Sequence, residues 1–437
     1  MKAIPCLLGF YLFVYCVPQT LAADPPAAYK AGVATKIITP EKPMWMAGYA
    51  SRTKPAEGKL IDLQAKAVCL EDAAGKRLVL VTTDLIGIPR ALGVEVAAEV
   101  EKKFGIKRAE LMLTASHTHC GPVIRENLID AYPLTPEESD KVTAYTRKLK
   151  PELVELVGAA IKNLEPVTLK YSHGKASFAM NRREPTEKGI INGKNPAGPV
   201  DHTVPVLVVE GKEGKPKAVV FGYACHNTTL QFYQWCGDYA GFAQLGIEKA
   251  FPGAVAMFWT GCGADANPQP RSTVELCQQH GKELADAVVS TVKGELKPIS
   301  GSFAAKFETV TLKLESIPTK AQLTADLLSK TLAVNKRAER LLKELETTGK
   351  IADTYPHYPI QTWMLGDQIL WVALGGEVVL DYALRLKKEL PQSRTLWVAG
   401  YANDVMAYIP SARVLKEGGY EADSSQISYG MPGKWSP

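Results

Sequence analysis

The alternation of strand-like and helix-like segments predicts an α/β (α+β) protein: one large mixed β-sheet flanked by helices, forming a single domain over residues 23–437. Three observations carry this prediction. Short apolar runs rich in branched residues recur along the chain. Amphipathic stretches with helical spacing stand between them. No linker-like segment divides the chain after its first residues.

Taken in order, Val33 to Ile38 reads as a strand ending at Thr39-Pro40. Leu63 to Leu70 and Arg77 to Thr83 form a hairpin around the Asp72–Lys76 turn. Leu92 to Phe104 has helical apolar spacing, and Ala109 to Ala115 is an apolar strand. Pro136 to Leu164 is helical in two pieces, opened by Thr135 as N-cap and Pro136 at the first helical position. Strands are expected at Val167–His173, Val204–Val209, Ala218–Tyr223 and Val255–Trp259, and helices at Gly241–Ala250 and Val274–Val292. Lys320 to Thr348 reads as one long helix with a solvated charged face. A hairpin at Thr362–Leu374, a helix at Val378–Leu390 and a strand at Leu396–Ala399 complete the pattern.

Composition narrows the function classes. Hydrophobic residues at 46 % and charged residues at 22 % are ordinary globular values that permit a large core. A net charge of +5 on 437 residues, without a dense Lys/Arg patch interleaved with aromatics, gives no reason to expect a nucleic-acid partner. Met1-Lys2, the apolar run Ala3–Val17 and the small residues around Ala22-Ala23 read as a signal peptide over residues 1–22, so the expected location is secreted or periplasmic. That run is shorter than the ~20 residues of a spanning helix, and no transmembrane segment is expected in the mature chain. Of eight cysteines, Cys6 and Cys16 lie in the leader. The remaining six contain no Cys-x-x-Cys pair, which argues against a thiolate zinc site; Cys225 and Cys236 are the first candidates for a disulfide, with buried free thiols the alternative.

The chemistry gathers just beyond the apolar strands. His117 and His119 follow Leu111–Ala115, His226 follows Ala218–Tyr223, and Asp265 and Asn267 follow Val255–Trp259 across Gly261-Cys262-Gly263. Glu377 follows Ile369–Leu374 across Gly375-Gly376, and Tyr408 follows Leu396–Ala399. Ligands of open sheets collect at such strand ends. In an extended segment, side chains two apart point to the same side, so in His-x-His one imidazole can bind a metal while the other faces a substrate beside it. Two imidazoles and a carboxylate form an ordinary catalytic zinc set, which lowers the pKa of a bound water to about 7. Zn2+ is therefore the expected cofactor.

These segments, in order, resemble the neutral (non-lysosomal) ceramidase family. Gly32-Val33-Ala34-Thr35-Lys36-Ile37-Ile38-Thr39-Pro40 with Met46-Ala47-Gly48-Tyr49 is similar to its opening segment. Ser116-His117-Thr118-His119-Cys120-Gly121-Pro122 is similar to Thr-His-Thr-His-Ser-Gly-Pro, and His226-Asn227-Thr228-Thr229 to His-Gly-Thr-Ser. Gly237-Asp238 resembles a following Gly-Asp segment, Gly376-Glu377 resembles Gly-Glu-Phe, and Gly400-Tyr401-Ala402-Asn403 through Tyr408 resembles Gly-Leu-x-Asn ending in tyrosine. The resemblance implies zinc ligands His117, His226, Glu377 and Tyr408, with His119 on the substrate or oxyanion and Arg182 as an active-site arginine.

Two departures bear on the reaction. The family's Gly-Asp-x-Ser-Pro-Asn, whose serine has been assigned a nucleophilic role, reads Gly263-Ala264-Asp265-Ala266-Asn267-Pro268 here, with no serine. Attack by metal-activated water becomes the simpler route, with Asp265 as a candidate catalytic residue that orients the water or serves as general base. The family's C-terminal β-domain is also not expected, since the sequence ends at Pro437 soon after the tyrosine segment. The expected function is an exported zinc-dependent hydrolase of an N-acyl amide bond, with a small-molecule, lipid or glycan substrate. The alternatives are a metal-dependent esterase, deacetylase or lyase on extracellular carbohydrate, and a non-catalytic binding protein.

Overall fold

Period-two alternation in the central strands decides how the layers stack. Val68 and Leu70, Leu78 and Leu80, Met112 and Val220 face one side, while Ala67 and Cys69, Val79 and Val81, Leu113 and Phe221 face the other; all are buried. A sheet apolar on both faces must be covered twice. The computed structural model, which describes residues 29–437, shows both covers. The signal-peptide assignment lies outside the described residues.

The main sheet has nine strands. Eight follow the order Val255–Thr260, Pro216–Tyr223, Thr203–Glu210, Glu165–Lys175, Tyr29–Ile37, Gln64–Asp72, Arg77–Thr83 and Leu111–Ala115, and Lys297–Pro298 pairs with Glu165–Lys175. The sheet is mixed: its two outer pairs, Pro216–Tyr223 with Val255–Thr260 and Arg77–Thr83 with Leu111–Ala115, are parallel, and the pairs between them are antiparallel. On one face lie the helices Arg90–Phe104, Pro136–Lys162, Asp238–Ala250 and Val274–Lys293, through Val96, Leu149, Leu153, Val157, Ile247 and Leu284. On the other lies a second sheet in the order Thr395–Ala399, Ile369–Leu374, Thr354–Leu365, Phe303–Glu315 and Lys434–Trp435. Trp259 of the main sheet meets Trp371 of the second at 5.1 Å between ring centroids, and Trp371 meets Trp397 at 5.4 Å. Buried aromatic contacts of this kind dominate the energetics of such a layer.

The predicted class is therefore observed, and the structure revises particular elements. Pro136–Lys162 is one helix rather than two pieces, with Pro151 inside it. The neighbouring Leu149 and Leu153 are fully buried, and that packing outweighs the lost backbone hydrogen bond. Lys320–Thr348 is two helices, Lys320–Asp326 and Leu332–Thr348. The break falls where the Ser329 hydroxyl accepts from the Thr331 amide at 3.1 Å, a local bond that competes with helix continuation. The thirteen-residue strand Phe303–Glu315 and the hairpin of Ala179–Thr186 with Gly189–Asn195 were not expected: the former and Gly189–Asn195 are polar and largely exposed, and Ala179–Thr186 buries the polar residues Asn181, Arg182 and Arg183, so none shows an apolar alternation. Cys225 and Cys236 form no disulfide; the six cysteines among the described residues are buried free thiols.

The two sheets are tied at one end by Asn403. Its backbone amide donates to Leu113 O at 2.7 Å, its Oδ1 accepts from Leu113 N at 3.2 Å, and its Nδ2 donates to Gln361 Oε1 at 2.8 Å. Its φ of 65° is a left-handed conformation that asparagine tolerates better than most residues. Asn403→Leu leaves the Leu113 N–H and the Gln361 carbonyl buried and unpaired, at about 1–3 kcal/mol each. Urea denaturation should show a loss on the order of 3 kcal/mol.

Candidate metal centre

Each candidate ligand sits just past a strand end, and its backbone is locally constrained. His117 follows Leu111–Ala115 with φ at 58°, an uncommon conformation for a non-glycine residue that the surrounding structure must hold. Its Nδ1 lies 2.6 Å from Ile86 O, so it donates there and Nε2 is free to face inward. His226 repeats the arrangement, with Nδ1 3.0 Å from Gly263 O. A Cβ on Gly263 would stand 2.3 Å from Cys225 N, so only glycine brings that carbonyl up to the imidazole. Glu377 and Tyr408 are register partners in a two-residue parallel pairing, Glu377–Val378 with Tyr408–Ile409, which sets them side by side.

The donor atoms converge. Glu377 Oε2 is 3.1 Å from His117 Nε2 and 3.0 Å from His226 Nε2, and Tyr408 Oη is 3.1 Å from His226 Nε2. His119 Nε2 is 3.2 Å from His117 Nε2. Two ligands each about 2.0–2.1 Å from a tetrahedral zinc ion lie about 3.3–3.4 Å apart, so the spacing and the nitrogen-oxygen donor set fit a divalent ion. The His117, His119 and His226 cluster can hold one by itself, because their ligand atoms all lie within 4.8 Å of one another.

The geometry therefore offers a three-imidazole set beside the set expected from sequence, and the surroundings separate them. His117 and His226 are each braced on a backbone carbonyl, as metal-bound imidazoles usually are. His119 Nδ1 has no hydrogen-bond partner among the described residues, and the ring is held by packing against Gly48 and Tyr49. That difference favours His117 and His226 as ligands and leaves His119 beside them.

Electrostatics prepares the same residues. Burial, followed by Arg182, lowers His226 to about 4, so its ring is neutral at pH 7. Burial also takes His119 well below the usual imidazole range. Burial disfavours the Glu377 carboxylate, but the His117 and His226 rings outweigh it and hold that group well below the usual range. Neutral imidazoles and an ionised carboxylate are the forms that bind a cation. Burial pushes the Tyr408 phenol well above its ordinary value, with Arg182 opposing.

Arg182 joins the cluster through Tyr408. Its Nη2 donates to Tyr408 Oη at 3.0 Å, its Nε to Glu421 Oε1 at 2.7 Å, and its Nη1 to Asn267 Oδ1 at 3.4 Å. Asp265 is placed differently from the sequence expectation. Its Oδ1 accepts from Leu380 N at 2.9 Å and its Oδ2 from Asn181 Nδ2 at 3.2 Å, so both oxygens are bonded to the scaffold. Burial raises Asp265 to about 6.

Three further residues complete the site and escaped the sequence reading. Tyr429 Oη donates to Glu377 Oε1, and Tyr401 Oη to Glu377 Oε2 at 3.4 Å. Glu421, 1 % exposed, bridges Arg182 and Arg183. Tyr401 lay within a quoted motif; Tyr429 and Glu421 sit in a C-terminal segment without strand or helix periodicity, and nothing local marked them. A cavity of about 690 Å³ lies elsewhere, lined by Asp201, Lys297, Lys387, Arg394 and Trp397. The metal-capable cluster itself is enclosed by the side chains just described.

The sequence profile of the family described as "Neutral/alkaline non-lysosomal ceramidase, N-terminal" matches residues 29–332. The chain belongs to this family. Neutral ceramidase B of Dictyostelium discoideum is 25% identical over 245 residues, covering 51% of this chain and 33% of that protein. Neutral ceramidase of Pseudomonas aeruginosa is 37% identical over 120 residues, covering 26% of this chain and 18% of that protein. The chain thus spans a third or less of these curated relatives. Among solved structures, neutral ceramidase from Pseudomonas aeruginosa superposes with a TM-score of 0.68 at 20% identity, over 93% of this chain and 73% of that one. A ceramidase complexed with C2 gives a TM-score of 0.69 at 19% identity, over 92% and 72%. These likenesses show that the ceramidase-family fold extends past residue 332 to nearly the whole described chain.

Glu421→Gln tests the ion-pair network. It removes the charge that compensates two buried guanidinium groups, and breaking a buried pair costs about 3–5 kcal/mol. Thermal unfolding at neutral pH should register a loss at the lower end of that range, because Arg183 keeps Glu417 and the Gly418 carbonyl.

Proposed function

We propose that this chain is a zinc-dependent hydrolase of an N-acyl amide bond, with ceramide or a related N-acyl compound as substrate and water as the nucleophile. The observation that carries the reading is the buried convergence of His117, His226, Glu377 and Tyr408 at 3.0–3.1 Å, within a ceramidase-family fold. A zinc ion held by these four would polarise the acyl carbonyl and make water a nucleophile at neutral pH. Export through residues 1–22 would bring the enzyme to extracellular or periplasmic substrate.

The protein's own residues supply the remaining parts. His119 is neutral, enclosed and next to His117, so it can take the proton that water loses on attacking the acyl carbon. As the C–N bond breaks, the proton passes to the leaving nitrogen; the products are a carboxylic acid and an amine. Arg182 places positive charge beside Tyr408, where it favours an anionic phenolate oxygen. Asp265 acts as a positioning residue: it joins the start of the Leu380–Glu389 helix to the strand that carries Arg182. Among the described residues no helix is long and apolar enough to cross a membrane.

Purified protein should carry close to one zinc per chain by elemental analysis and release fatty acid from a short-chain N-acylsphingosine. His226→Ala should lose the metal and lower turnover roughly 10²-fold or more. Retention of both in the variant would sink the proposal.

A further inference from the structure

Asn267 is 2 % exposed and lies on the short strand Ala266–Pro268, which pairs with the strand carrying Arg182. Its Oδ1 faces two donors, Arg182 Nη1 at 3.4 Å and Thr228 Oγ1 at 3.5 Å. A guanidinium has no acceptor, so this contact fixes which end of the carboxamide is oxygen. Nδ2 therefore points the other way. None of the described residues accepts from it. It is also absent from the group of sealed, partnerless polar atoms that includes His119 Nδ1, so it retains contact with open space. A carboxamide clamped through its oxygen, bonded directly to Arg182 and linked through Arg182 and Tyr408 by three hydrogen bonds to His226, with an uncommitted N–H pair, has the form of a substrate-binding donor.

We propose that Asn267 Nδ2 donates a hydrogen bond to the carbonyl oxygen of the scissile acyl group, and a stronger one to the oxyanion that forms when water attacks. This rests on the hydrolase reading above. It assigns a binding task to a position where the segment's resemblance would put serine: Asp265-Ala266-Asn267-Pro268 stands against Asp-x-Ser-Pro. A carboxamide cannot become acylated under these conditions, so at this position it binds the acyl group without exchanging a covalent bond with it.

The test compares Asn267→Ala, Asn267→Asp and wild type, all loaded with zinc, on a short-chain N-acylsphingosine. Asp keeps the shape and removes the donor; Ala removes the donor without adding charge, and covers the case in which the Asp variant loses metal. Loss of one oxyanion donor costs about 10²–10³ in kcat, so both variants should fall about 10²-fold in kcat, with KM within about threefold of wild type and zinc content unchanged. Asn267→Ser, which restores a shorter donor, should recover part of the loss. Variants that keep kcat within about threefold of wild type overturn the assignment while leaving the hydrolase reading intact. A zinc-loaded wild type without turnover overturns both.

Discussion

The site is organised around the cost of keeping one carboxylate out of water. Glu377 is 2 % exposed, and an ionised carboxyl at that depth is tolerated only if its oxygens are satisfied. His117, His226, Tyr401 and Tyr429 all converge on it. These four residues together span more than 300 residues of chain, from His117 to Tyr429, so neutralising a single group draws the main sheet, the second sheet and the C-terminal segment into one arrangement. A bound cation would serve the same need, which is why a metal fits here.

That constraint explains where the glycines and the unusual backbone angles occur. Gly263 must admit the chain beside Cys225 so that its carbonyl can orient His226, and Gly376, at φ 77°, has no room for a side chain beside Ile409. His117, Tyr401 and Asn403 all have positive φ close to the same point. Strain gathered at one place, and held by the tryptophan layer between the sheets, is consistent with a scaffold built to present a fixed set of donors.

The parts legible from sequence were those with a local signature. Strand patterns exposed the α/β layering, and the strand-end positions of His117, His226, Glu377 and Tyr408 pointed to residues that the structure brings together. The Pro136–Leu164 and Lys320–Thr348 stretches departed from expectation in opposite directions, because burial can override a helix breaker while capping residues can end a helix whose apolar spacing continues. The Phe303–Glu315 strand stayed hidden because its exposed face erases the alternation that would mark it. Tyr429 and Glu421 were invisible for a different reason: their meaning comes only from contact with Glu377, Arg182 and Arg183, over 50 to 239 residues of intervening chain.

The C-terminal segment has a consequence for the order of assembly. Trp435 donates through Nε1 to the Tyr408 carbonyl at 2.7 Å, and Lys434–Trp435 closes the edge of the second sheet against Phe303–Glu315. During synthesis, His117 and His226 emerge long before Tyr408, Glu421 and Tyr429. Until that late stretch docks, Glu377 lacks Tyr429 and both guanidinium groups lack their carboxylate, so the earlier residues stand without a finished enclosure. Timing is thus written into the sequence order: the candidate site closes only once residues 408–435 are in place.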